Sequence, residues 1–211
     1  MNPAELRALS FASADQAEEI ARAEIYGLLA RLFLAPPDAA LLAAFAVVVT
    51  EAPEPGAFLE APWQDLVSAL RAGSPEAAAA EYEALFLGVG RPEIFLYASH
   101  HLSGFLNEKP LVQLRSDLAA LGLQGDRERG ETEDHVSAAF EVMRYLIAGD
   151  DAAVCNLEQQ RRFFRAHVQS WVERLCDVLQ AHPRARLYAA LAAYTRAFVQ
   201  VETQGFDLLE A

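Results

Sequence analysis

Apolar residues recur at helical spacing along almost the whole chain, and the strict alternation of a strand is scarce. Residues 15–34 place Ile25, Leu28, Leu29, Leu32 and Phe33 on one face. Pro36 and Pro37 stop that helix, because proline removes a donor and restricts the residue before it. Asp38 is positioned to cap a short second helix reaching residue 49. Residues 51–62 hold Pro53, Pro55, Gly56 and Pro62 and read as a surface loop. A third helix is expected over 63–71, with Gly73 breaking it. Ser74-Pro75 opens a fourth, since serine accepts from the orphan amides and proline loses nothing at the first helical position. It runs through Tyr82 and Phe86 to Gly88.

Residues 88–93 read as a turn, and 94–106 as an apolar and aromatic stretch whose form the pattern does not decide. Pro110 opens a helix to about residue 121. Residues 122–130 carry Gly122, Gly125 and Gly130 among charged residues and form the best hinge candidate. Three broad apolar stripes follow: Val136, Ala139, Phe140, Met143, Leu146 and Ile147; then Phe164, Val168, Trp171, Val172, Leu175 and Leu179; then Leu187, Leu191, Tyr194, Phe198 and Val201. With no internal repeat and no strand–helix alternation, the expected fold is all-α. It is a single compact bundle of about eight to ten helices spanning 1–211 as one domain.

Charge changes the picture more than composition does. The chain carries 17 Lys+Arg against 30 Asp+Glu, a net −13. That field repels a phosphate backbone, so nucleic acid is not an expected partner, whereas a basic peptide would be attracted. Solubility alone would also account for the acidity. Cys155 and Cys176 are too few for a disulfide framework or a zinc site and read as free thiols. Residues 1–15 show no export signature, and the apolar run 39–49 falls short of the roughly 20 residues a membrane span needs. A cytoplasmic protein without stable membrane insertion is expected.

Candidate chemistry is sparse. Gly88-Val89-Gly90 lacks a third glycine at Glu93 and any following Gly-Lys-Ser/Thr, so it is neither a dinucleotide nor a phosphate loop. No histidine has a glutamate three residues before it, which removes the di-iron bundle. The adjacent His100 and His101 diverge and lack a metal-completing partner, and no serine lies in Gly-x-Ser-x-Gly. No catalytic residue, no metal ligand and no cofactor is therefore assigned. Glu131-Thr132-Glu133-Asp134-His135 stands apart. Acids at a helix start are favoured by its dipole, which is a sufficient structural reason for them. The same residues, following a hinge, suit capture of a cation such as a guanidinium.

Four stretches together resemble the TorD/DmsD/NarJ family of redox-enzyme maturation chaperones. They are Glu81-Tyr82-Glu83-Ala84-Leu85-Phe86 with Gly88-Val89-Gly90-Arg91-Pro92; Leu96-Tyr97-Ala98-Ser99 continuing to Glu108-Lys109-Pro110; Glu131 to His135; and Gln160-Arg161-Arg162-Phe163-Phe164 with His167 and Trp171. The chain departs from the family pattern where Leu96-Tyr97-Ala98-Ser99 replaces Pro-aromatic-Glu-Ser, and where Thr132 replaces a common proline.

The resemblance implies an all-helical, non-catalytic protein that binds a molybdenum-cofactor oxidoreductase subunit, through its twin-arginine leader or its mature body, until the cofactor is inserted. The run Leu106-Asn107-Glu108-Lys109-Pro110 is most similar to chaperones of formate dehydrogenase-type enzymes. The expected client groove takes Leu85, Phe86, Tyr97 and Ser99 on one side and Glu133, Asp134 and His135 on the other, with the acids meeting the basic part of the client. A monomer or homodimer fits this reading. A plain helical scaffold and a nucleotide-responsive binding protein are the alternatives.

Overall fold

In a computed structural model the described residues are 14–48, 58–88, 90–125 and 130–209. The first apolar stripe becomes α1 (Ala14–Leu34), and the Asp38 carboxylate accepts from the Leu41 amide at 2.7 Å to start α2 (Ala39–Ala46). Next comes α3 (Glu60–Ala72), which begins three residues earlier than the proline pattern predicts. Pro62 falls in its first turn, where the amide has no intrahelical acceptor to lose. Residues 51–57 of the expected loop lie outside the described residues, as does residue 49, where the second helix was expected to end; α2 stops at Ala46.

Ser74 and Pro75 do open α4 (Pro75–Tyr82), the serine oxygen accepting from Ala77 at 3.2 Å. The helix continues as a π-helical turn over Glu83–Leu87 and ends at Gly88. There φ is +53°, and a Cβ would stand 2.3 Å from the Arg91 carbonyl oxygen, so only glycine fits. The undecided 94–106 stretch contains α5 (Ala98–Ser103), followed by α6 (Lys109–Ala120). Of the expected hinge at 122–130, residues 126–129 lie outside the described residues.

The second C-terminal stripe, expected as one helix, is two. After α7 (Val136–Ala148), α8 (Leu157–Phe164) widens into a π-helical turn at Arg165–Gln169, and α9 (Val172–Ala181) starts afresh. At the break Ser170 Oγ donates to the Ala166 carbonyl and Trp171 Nε1 to the His167 carbonyl, drawing off acceptors a continuous helix would use. The Trp171 ring is buried and stacks on His101. Apolar spacing survives the break, so the stripe alone does not reveal it. The last element is α10 (Leu187–Leu208). Among the described residues there are ten α-helices and no strand, so the fold is an all-α bundle.

α1 packs along α7, and α10 lies between α9 and α3. Tyr26 and Phe33 of α1, Phe140 of α7 and Phe198 of α10 meet in the core, with Tyr26 edge-on to Phe198 at 4.9 Å. Within this apolar mass sits a charged group, Glu202. Arg22 donates to both its oxygens (2.7 and 2.8 Å) and Tyr26 to one (3.0 Å). Gln160 accepts from Arg22 at 3.3 Å and donates to the Leu146 carbonyl at 3.2 Å, so α1, α7, α8 and α10 share one polar network. A second long-range contact caps α10: the Glu81 carboxylate accepts from the amides of Arg186, Leu187 and Tyr188 at 2.8, 3.2 and 2.9 Å.

Removing one partner of a buried ion pair strands the other's charge or its donors. Arg22→Ala should therefore cost about 3 kcal/mol in urea denaturation, because it leaves Glu202 buried without its cation. A loss below about 0.5 kcal/mol would mean the pair behaves like an exposed one.

Candidate functional site

The two family-like stretches at 96–99 and 131–135 are joined backbone to backbone. Ala98 donates to the Asp134 carbonyl at 2.9 Å and Val136 to the Leu96 carbonyl at 2.8 Å, an antiparallel bridge between Tyr97 and His135. Asp134 completes the joint from its side chain. One oxygen accepts from the Ser99 amide at 3.0 Å and the other from the Thr132 hydroxyl at 2.6 Å. Asp134 is 1% exposed. It is not presented to a cation at a free helix end, as the sequence suggested. It holds the first turn of α5, and Ser99 contributes its amide to that bond.

The other expected site residues divide in the same way. Leu85 is fully buried, and its carbonyl accepts from Ile94 at 2.9 Å. Phe86 is buried edge-on between Tyr82 and Tyr188, at 5.0 and 4.9 Å. Both belong to the core. Tyr97, Glu133 and His135 cluster at the joint. Tyr97 is half-buried, stands edge-on to the His135 ring at 5.2 Å and donates its hydroxyl to the Glu131 carboxylate. Burial, then that bond, pushes its phenol pKa well up. His135 caps α7, its Nδ1 accepting from the Ser137 amide at 3.2 Å. That geometry requires the neutral ring, and burial lowers its pKa below the ordinary 6.5 against the pull of Glu131 and Asp134. Glu133 pairs with Arg115 of α6 at 2.8 Å. Its side chain lies where a Cβ on Gly125 would stand, 2.5 Å from Cγ, so that glycine makes room for a carboxylate.

Glu131, Glu133, His135 and Gly125 border a cavity of about 280 Å³. Leu118, Leu123 and Val142 give it an apolar floor, Ala138 and His135 a wall, and Glu131, Glu133 and Glu141 an acidic rim. The sequence reading missed the floor, because Leu118 and Val142 look like ordinary helix-face residues until α6 and α7 are seen to part. It also missed Arg115, for which no local signal exists. Elsewhere His167 meets Asp117 at 2.8 Å, which Gln113 and Arg162 also approach. The adjacent His100 and His101 do not diverge as the sequence suggested: their rings stand edge-on at 5.5 Å, one against Phe95 and the other stacked on Trp171. Among the described residues no group of three or more His, Cys, Asp or Glu could hold a metal ion, and no helix is long and apolar enough to cross a membrane.

A family model described as nitrate reductase delta subunit matches residues 53–177, more than half of the chain and both halves of the joint. The chain belongs to the nitrate reductase delta subunit family. The family resemblance carried by the four motifs is thereby borne out. Among relatives, the chaperone protein TorD of Vibrio cholerae is 28% identical over 138 residues, 62% of this chain and 63% of its own length. TorD of Aliivibrio fischeri is 25% identical over 127 residues (56% and 59%), and that of Vibrio parahaemolyticus 24% over 137 residues (59% and 62%). The chain thus matches under two thirds of the length of these relatives. For this family member the Glu131–His135 signature marks first of all a structural joint, with a cavity built beside it.

Two outcomes follow from the joint. Asp134→Ala should lower the unfolding free energy by about 2 kcal/mol, since a buried charged acceptor of two hydrogen bonds is lost. An unchanged urea midpoint would contradict the joint. Acidification should act through the histidines. His135, His101 and His167 all have folded-state pKa values lowered first by burial, so the unfolded chain takes up protons before the folded one. Their contribution is complete above the ordinary imidazole value of 6.5 and declines as pH falls below it. His135→Asn should flatten that decline, and a urea midpoint unchanged between about pH 7.5 and about pH 5.5 in wild type would refute it.

Proposed function

We propose that this chain is a non-catalytic chaperone, working as one domain in the cytoplasm, that holds a molybdenum-cofactor oxidoreductase subunit during cofactor insertion. The observation that carries the reading is an apolar-floored cavity with an acidic rim, built onto the Glu131–His135 joint of a nitrate reductase delta subunit family member. The named relatives are chaperones, which agrees with it. In this reading the floor formed by Leu118, Leu123 and Val142 takes an apolar side chain of the client. Glu131 and Glu133 meet a basic one, with His135 in the wall and Tyr97 behind it, against the His135 ring and the Glu131 carboxylate. Leu85, Phe86, Ser99 and Asp134 act from within by fixing that wall. A twin-arginine leader has the required chemistry, two cations beside an apolar stretch, and a formate dehydrogenase-type subunit is the first client to assay.

Ala138 lines the cavity and is half-buried, so a phenylalanine there should fill it without disturbing the core. Ala138→Phe should keep the wild-type urea midpoint but weaken binding of a synthetic peptide bearing two adjacent arginines and a leucine–alanine stretch by about 1–2 kcal/mol. It should also fail to retain the oxidoreductase subunit that wild type brings down from native cytoplasm. Wild-type affinity in a folded Ala138→Phe protein would remove the cavity from the function.

A further inference from the structure

Across the joint from the first cavity lies another space that shares no lining residue with it. It holds about 200 Å³, too small to enclose a whole ligand of ordinary size but enough for one large side chain. Leu102, Pro110, Leu114, Ala139 and Trp171 surround it. The polar groups on its wall are already engaged. Asp134 accepts from Ser99 and Thr132, His167 is held by Asp117, and the Gln113 amide is turned to Asp117. Satisfied polar groups ask nothing of an occupant, so the hole fits an apolar one.

A knob of that kind stands beside it. The link from α5 to α6 leaves Phe105 71% exposed and Leu106 41% exposed, a few residues from the Leu102 and Pro110 walls. The backbone holds this projection in place. Gly104, at φ +84°, returns its amide to the His100 carbonyl at 2.8 Å, and the Ser103 hydroxyl reaches the Ser99 and Phe105 carbonyls at 2.6 and 3.3 Å. Asn107 is the one non-glycine residue at positive φ among the described residues. Charge singles out the same link. Lys109, the one lysine in the chain, opens α6, where the helix dipole disfavours a cation. Glu108 beside it makes no capping bond with its side chain. Both are exposed and make no ion pair among the described residues. Two copies of a chain of net −13 repel over most of their surface, but here one charge of each sign adjoins the knob.

We propose that the occupant is a second copy of this chain. In a twofold dimer, Phe105 of each protomer enters the hole of the other, and Lys109 of each meets Glu108 of its partner. A twofold axis makes one patch serve both sides, and a hole, a knob and two opposite charges adjoining on one chain meet that requirement. The contact is at the small end of the roughly 1,200–2,000 Å² that stable interfaces bury, so the dimer comes and goes with concentration.

Analytical ultracentrifugation of the full chain between about 1 and about 200 μM tests this. The weight-average mass should climb from that of one chain towards that of two. Phe105→Glu should stay monomeric throughout with an unchanged urea midpoint, because the side chain it replaces is exposed. Ala166→Trp, filling the hole from an exposed position, should do the same. Lys109→Glu and Glu108→Lys should each weaken the dimer by about tenfold, and the double exchange, which restores opposite charges across the axis, should recover it to within about threefold. Ala138→Phe, in the first cavity, should dimerise like wild type, so this proposal and the client-binding reading fail separately. A wild-type chain that stays monomeric across the range overturns the proposal, and a client lost by Phe105→Glu in that case would give the face to the client. A dimer that Phe105→Glu and the charge reversals leave intact overturns it equally.

Discussion

A carboxylate placed in the middle of an apolar bundle has to be neutralised, and in this chain the bundle is arranged around doing so. Glu202 stands in α10 with 5% of its surface exposed, and Arg22, Tyr26 and Gln160 converge on it or on each other from α1 and α8. Apolar packing is tolerant of small rotations and slips between helices, whereas a bidentate guanidinium–carboxylate contact is not. The network therefore fixes how α1 sits against α10, and through the Leu146 carbonyl how α7 sits against α8. The parts of the candidate site that α1 and α7 supply, Leu34 and the face from Ser137 to Tyr145, depend on that setting.

The joint between 96–99 and 131–135 works on the same principle at smaller scale. Two backbone bonds and a buried aspartate lock the start of α5 to the start of α7. This leaves the neighbouring side chains of Tyr97, Glu131 and Glu133 at the boundary with solvent. Residues that line the cavity (Glu131, Glu133, His135) and residues that bond across the joint (Thr132, Asp134) alternate along one short segment. A motif in such a segment carries both roles.

That alternation explains what the sequence could and could not tell. The helices were legible because their apolar stripes are broad, as over Val136–Ala148, and because Asp38 and Ser74 announce their starts. The region of the site was legible from the clustering of Glu131–His135. The division of labour within it was not. Nothing local distinguishes Glu133, turned towards Arg115, from Asp134, turned inward to the Ser99 amide, because the distinction lies in a bridge to a segment 35 residues away. The break at Ser170 and Trp171 was hidden for a related reason, since apolar residues on both sides face the same core. Glu81 is the extreme case: its role is to cap a helix 105 residues further on.

That distant cap bears on the order in which the molecule can be completed. As the chain leaves the ribosome, α4 emerges with the Glu81 carboxylate long before the amides it serves have been synthesised. Glu202 follows later still, after its partners Arg22 and Tyr26 and after the Gln160 that Arg22 also bonds. Until α10 arrives, the faces of α3 and α9 that it covers have no lid, and the early part of the chain is itself an incomplete protein with apolar surface to hide. A molecule proposed to shelter unfinished enzymes thus passes through a state in which its own apolar faces on α3 and α9 wait for α10.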